Sequence, residues 1–165
     1  MKKLINIIIA FCFISLISGC AGYKPLYTTN LKFKINDYSL KGDESLGKKI
    51  YSKLYNLSKK NQNEDNNEIK KIAMTITTNK NKIATTKDSA GKVLGYKIII
   101  EGNIIINDYV TKSELLNHNF SHSSQYSVQN QYSETIKLEK QNIENLINKT
   151  YQNILILMSK EMLSE

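Results

Sequence analysis

The stretch that most limits what this chain can become is residues 93–106, which holds Tyr96-Lys97-Ile98-Ile99-Ile100 and Ile104-Ile105-Ile106. β-Branched side chains are stiff at χ1 and pack well on a pleated surface, so the run reads as a strand. Because it is apolar on both faces, it reads as a central strand covered on at least one side by helix. Gly102 in its middle marks a bulge or a twist.

The neighbouring segments supply the rest of such a sheet. Leu31-Lys32-Phe33-Lys34-Ile35-Asn36 alternates apolar and polar and predicts a first strand, after which Gly42 and Asp43 mark a turn and a helix N-cap. From Glu44 to about Ser58 the positions Leu46, Ile50, Leu54 and Leu57 recur at helical spacing, with Tyr51 and Tyr55 flanking the stripe. A polar loop over 58–68 ends that helix. Ile72, Met74 and Ile76 then alternate with Ala73, Thr75 and Thr77 as a second strand. The polar residues 78–82 are either a bulge or more strand, since Ile83-Ala84-Thr85-Thr86 returns to β-forming residues.

Lys87-Asp88-Ser89-Ala90-Gly91-Lys92 carries turn chemistry and makes a hairpin with the central run. Asn107-Asp108 begins another turn, Leu115 to about Ser124 reads as a last strand, and residues 134–163 form the longest helix, with Ile136, Ile143, Leu146, Ile147, Ile154, Leu157, Met158 and Met162 largely on one side. Residues 154–158 are apolar nearly all round, which core packing explains better than a partner contact. The expected fold class is α+β: a four-stranded, mostly antiparallel sheet with two helices packed on one face, in the order β-α-β-β-β-α. No internal repeat or second domain is visible, so residues 31–165 are expected to form a single domain.

The N-terminus decides where such a domain works. Lys2 and Lys3 precede an apolar run over 4–17 interrupted only by Asn6 and Ser15, the layout of an export signal and too short for a comfortable span. Ile17-Ser18-Gly19-Cys20 at its end resembles a bacterial lipobox. The resemblance implies residues 1–19 as a signal peptide and acylation of Cys20, followed by an extended leader over 20–30. Three acyl chains at ~0.8 kcal/mol per buried methylene make a permanent tether. Ala21 rather than Asp follows the cysteine, which permits the outer membrane.

Cys12 leaves with the signal and Cys20 is consumed by lipid, so no disulfide is expected in the mature chain. The formal charge of +8 includes Lys2 and Lys3, so the mature side chains sum to +6. A basic exported domain at a membrane faces anionic lipid rather than nucleic acid.

Catalytic groups are sparse. There is no serine elbow, no phosphate-cradling glycine loop and no Cys-x-x-Cys. His118 and His122 fall in the last strand, about 13 Å apart at ~3.3 Å per residue, too far to share one metal. Glu64, Asp65 and Glu68 lie in the polar loop, and Asp88 and Asp108 in turns. The reading is a non-enzymatic protein with no metal and no cofactor beyond the lipid on Cys20.

Cys20-Ala21-Gly22-Tyr23-Lys24-Pro25-Leu26-Tyr27 resembles the Cys-Gly-Phe-(basic)-Pro-Leu-Tyr start of mature members of the LPS-assembly lipoprotein family, LptE, in their alphaproteobacterial form. Here an Ala is inserted after the Cys, and Tyr23 stands for the usual Phe. The layout also matches: a hairpin with a basic, glycine-containing turn over 87–92, a long Tyr-initiated strand from Tyr96 and a terminal long helix. The resemblance implies a lipid-anchored protein on the periplasmic side of the outer membrane. Such proteins plug and help assemble the large LptD β-barrel and bind lipopolysaccharide on its way to the outer leaflet. Lys87 and Lys92 are then the candidates for phosphate contact, with Lys80 and Lys82 weaker, because lysine offers phosphate a compact point charge. The rival reading is a generic outer-membrane lipoprotein acting as a periplasmic adaptor or pilot for another membrane complex.

Overall fold

A computed structural model describes residues 31–60 and 69–163. The signal and leader expected over 1–30, Cys20 among them, and most of the expected polar loop lie outside the described residues. The elements run β1 (Phe33–Gly42), α1 (Glu44–Lys60), β2 (Lys70–Lys87), β3 (Val93–Asp108), β4 (Glu114–Ser127) and α2 (Tyr132–Leu163). They form one four-stranded sheet in the order β1-β2-β3-β4. β1 is parallel to β2, and the other two pairings are antiparallel. The fold is therefore the α+β class expected, β-α-β-β-β-α. A parallel pair needs a long crossover, and the connection through α1 supplies it.

The core lies on one side of the sheet. Ile98, Ile100, Ile104 and Ile106 of β3 point to the helices at 0–1% exposure, joined by Ile72, Met74 and Ile76 of β2. From the helices come Leu46, Ile50 and Leu54 of α1 and Leu146, Ile147, Ile154, Leu155 and Met158 of α2. Period 2 on the strands and period 3.6 on the helices thus converge on one apolar layer. Ile99 and Ile105 face the uncovered side of the sheet and are only half-buried there. The central run is apolar on both faces, yet helices cover one. Of the apolar residues 154–158, Ile154, Leu155 and Met158 enter the core and Ile156 is exposed.

Three boundaries differ from the sequence pattern. β1 continues to Gly42, past Asn36, because the register shifts between Ile35 and Asp37. One extra residue inverts the alternation. Beyond it Leu40 packs on the core and Tyr38 stacks on Tyr51 of α1 at 4.0 Å between ring centroids. β2 has no break over 78–82; its irregularities fall later, on either side of Thr86. β4 extends to Ser127, its polar residues alternating with His118, Phe120, His122 and Tyr126.

Gly102 makes no bulge. It pairs in register with Thr78 and Phe120, and it is glycine because an added Cβ would sit 1.9 Å from the Thr77 carbonyl oxygen and 2.9 Å from the Phe120 ring. Gly91, in the hairpin turn at φ 84°, has open space around its missing Cβ.

These two glycines give a direct test by urea unfolding of the Gly→Ala variants. Gly102→Ala is expected at or above the upper end of the ~1–3 kcal/mol typical of overpacking. Gly91→Ala is expected to lose only the ~1–2 kcal/mol of a left-handed residue with a side chain. Equal losses would contradict the packing account.

Candidate functional site

The second half of β2 and the first half of β3 form a hairpin arm whose turn is built by Asp88. Its Oδ1 accepts hydrogen bonds from the amides of Ala90 and Lys92, both at 2.9 Å, while its own amide donates to the Lys92 carbonyl at 3.0 Å. An aspartate that satisfies two amides this way fixes the turn. Lys87 and Lys92 sit on its two shoulders, exposed, and neither forms an ion pair among the described residues.

The other two candidate lysines are engaged. Lys80 lies 3.9 Å from Asp43, and Lys82 donates to Glu139 Oε2 at 2.6 Å. The Lys82 ammonium also lies 4.3 Å from the Tyr96 ring centroid and 5.8 Å from that of Tyr126, within cation–π range. Tyr126 donates its hydroxyl to the same Glu139 oxygen at 2.8 Å.

Burial raises the Glu139 carboxyl, but the hydrogen bonds from Lys82 and Tyr126 and the charges of Lys82 and Lys80 outweigh it and hold the group below its ordinary range. Burial works against the Lys82 ammonium, and Glu139 more than compensates, so Lys82 stays charged above its usual range. Burial raises the Tyr126 phenol. The triad is thus a neutralised brace between β2, β4 and α2, and it removes Lys82 from the set of cations available to a ligand.

Beside the brace lies a cleft of about 410 Å³, bounded by Lys82, Lys92, Leu94, Tyr96, Tyr132 and Ile136. Leu94 is 41% and Tyr132 80% exposed. Leu94, Tyr132 and Ile136 bring apolar side chains to this cleft, and Lys92 brings an ammonium that has no ion pair among the described residues. Sequence reasoning missed Leu94 and Tyr132. They come from the start of β3 and the start of α2, and only the β4–α2 connection brings them together.

His118 and His122 both lie in β4 on the helix side, opposite Ile104 and Ile100 of β3. His122 Nε2 is buried without a hydrogen-bond partner. Burial first, then the charges of Lys149 and His118, hold its imidazole below the ordinary range. Among the described residues no three His, Cys, Asp or Glu side chains come together as metal ligands.

No protein-family model matches the chain, and no curated protein matches it in sequence. Among solved structures, a protein from Caulobacter crescentus described as a lipoprotein superposes with a TM-score of 0.53 at 12% identity, over 79% of this chain and 90% of that one. A minor lipoprotein from Acinetobacter baumannii superposes with a TM-score of 0.51 at 13% identity, over 78% of this chain and 93% of that one. The fold is one found in bacterial lipoproteins.

The brace predicts an acid dependence. A carboxyl depressed in the folded state adds stability above its unfolded pKa, near 4.5 here, and that stability is lost as pH falls through the folded value. The drop in melting temperature between pH 6 and pH 3 should be smaller in Glu139→Gln than in the parent chain. An identical drop in both would mean that the carboxylate does not feel Lys82.

Proposed function

We propose that this chain is an outer-membrane lipoprotein of the LPS-assembly type, anchored through Cys20 on the periplasmic side. In this reading it plugs and helps assemble a large LptD-type β-barrel and contacts lipopolysaccharide phosphate with Lys87 and Lys92. It works by binding, without turnover and without a cofactor beyond its covalent lipid.

One observation carries the reading: Lys87 and Lys92, without an ion pair among the described residues, are held at the tip of a long arm, far from Leu31. Leu31 leads into β1, whose Phe33 pairs with Lys70 at the start of β2. β2 then runs 18 residues to Lys87, a separation of roughly 55 Å at strand rise. An anchored body that reaches this far with free cations is suited to meet an anionic lipid passing through a pore. The uncovered sheet face supports the plug role. Around the half-buried Ile99 and Ile105 it presents Thr75, Thr77, Asn79, Asn103, Asn119 and Ser121, and Asn103 donates to both Asn117 and Asn119 at 3.0 and 2.9 Å. Amides and hydroxyls in that density match a polar barrel lumen.

Reversing both cations, Lys87→Glu with Lys92→Glu, should weaken binding of purified lipopolysaccharide by ~10-fold or more. The circular dichroism spectrum and melting temperature should stay unchanged, since both side chains are exposed and form no ion pair among the described residues. Undiminished binding would remove these lysines from the site. Pull-down of the tagged chain from its native membrane should recover one very large β-barrel; recovery of a different complex would favour the adaptor or pilot reading.

A further inference from the structure

The end of the domain opposite the lysine arm has a second, separate cluster. The Lys70 amide donates to the Lys32 carbonyl at 3.1 Å, and the Tyr109 amide donates to the Lys71 carbonyl at 2.9 Å. These bonds place the β3–β4 turn, the start of β2 and the entry from the leader side by side. Lys34 pairs directly opposite Lys71 on the uncovered face, both exposed and neither in an ion pair among the described residues. Two ammonium groups side by side on neighbouring strands repel each other, and a nearby anion relieves that repulsion.

Next to these lysines the turn projects apolar surface. Val110 is 73% exposed, the most open aliphatic side chain of the described residues, and Tyr109 is 37% exposed. The turn is stiff: Asp108 Oδ1 accepts from the amides of Val110 and Thr111, each at 2.8 Å, and the Lys112 amide donates to the Asp108 carbonyl at 3.0 Å. Lys112 holds its ammonium 4.4 Å from the Tyr109 ring centroid. The Asp108 carboxylate is thus spent on the turn, and Glu114 accepts from Asn117. Both groups stay anionic, but Lys34, Lys70, Lys71 and Lys112 outnumber them among the described residues at this end.

We infer that this end is a membrane-contact surface, in which Val110 and Tyr109 enter the headgroup layer of an anionic phospholipid bilayer and Lys34, Lys71 and Lys112 meet its phosphates. The inference rests on the anchored reading above for how this end comes to face a bilayer. Cys20 lies eleven residues before Leu31, so the tether reaches at most about 40 Å, and Leu31 leads directly into this cluster. A protein partner fits less well, since stable interfaces bury about 800 Å² per side and this apolar tip is one turn. An interfacial anchor needs only an aromatic at headgroup level, a short apolar probe and lysines near the surface.

The experiment uses the mature chain carrying Cys20→Ser, so that no acyl chain contributes, with phosphatidylcholine vesicles that either contain or lack about one third phosphatidylglycerol. The chain is expected to sediment with the anionic vesicles, to stay in solution with the neutral ones and to be released by salt. Lys71→Glu with Lys112→Glu should lower the bound fraction at least ~10-fold. The charge-matched pair Lys137→Glu with Lys140→Glu, exposed on α2, should not. The chain contains no tryptophan, so Val110→Trp places a single reporter at the tip, and its emission should shift to the blue on anionic vesicles. Failure to bind anionic vesicles, equal binding by the two reversed pairs, or an unshifted tryptophan on a bound chain would each overturn the inference. Acylation of Cys20 is read separately, by palmitate incorporation into the unsubstituted chain, so the loss of either idea is recognised without the other.

Discussion

Everything distinctive in this architecture follows from how the chain leaves β1. The Thr78 carbonyl accepts the Asp43 amide at 2.6 Å, and the Thr78 hydroxyl donates to the Asp43 carbonyl at 2.7 Å, with Thr78 fully buried. Gly42 makes the turn at φ 75°, and a Cβ there would lie 2.2 Å from the Thr78 carbonyl oxygen. The Asp43 carboxylate then accepts the Leu46 amide at 3.2 Å and caps α1. One residue of β2 thus ends β1 and starts a helix. Because β1 stops at Thr78, β2 continues for nine more residues without a neighbour on that side, and those residues become the arm that carries the lysines.

An unpaired strand edge invites association with other strands, and charge is a usual means of discouraging it. Lys80, Lys82 and Lys87 alternate along this edge or close it. Two of the three are held by carboxylates from elsewhere in the fold, Asp43 from the junction and Glu139 from α2. The same lysines therefore guard the edge and tie the arm to the body. Lys87 and Lys92 are left over at the tip, where no carboxylate among the described residues reaches them. The division between paired and unpaired cations follows from where Asp43 and Glu139 stand. It does not follow from the local sequence around each lysine, which is why Lys80 and Lys82 were legible only as weaker candidates.

Most of the fold was legible because the two periodicities rarely conflict. The stripe Leu46, Ile50, Leu54 and the alternation Ile72, Met74, Ile76 each identify an element and its buried face without help from the rest of the chain. Legibility failed where a tertiary event changed the pattern. The shift between Ile35 and Asp37 inverted the alternation of β1, so Asn36 looked like an end. Gly102 signalled irregularity, but the cause is the approach of the Thr77 carbonyl and the Phe120 ring across two strands, which no local pattern encodes. The candidate site was half visible: turn chemistry gave Lys87 and Lys92, whereas Leu94 and Tyr132 needed the β4–α2 connection.

Tyrosine marks the same limit from another side. Tyr51 and Tyr55 looked like the edge of a helical stripe, and they form a stack with Tyr38 that closes the gap between β1 and α1. Tyr96 and Tyr126 form another, 5.8 Å between centroids, beneath Lys82. Tyr126 supplies apolar ring area to the core while its hydroxyl donates to Glu139. Tyr109 sits in the β3–β4 turn, 37% exposed, with the Lys112 ammonium 4.4 Å from its ring centroid. Tyr51, Tyr55, Tyr96 and Tyr126 are thus taken up by packing, whereas Tyr109 stands at the leader end beside Lys34 and Lys71, which face one another without an ion pair among the described residues. Neither the Tyr109 ring nor those lysines belong to the apolar core, so what they contact is set by the surroundings of this end and not by the packing of the fold.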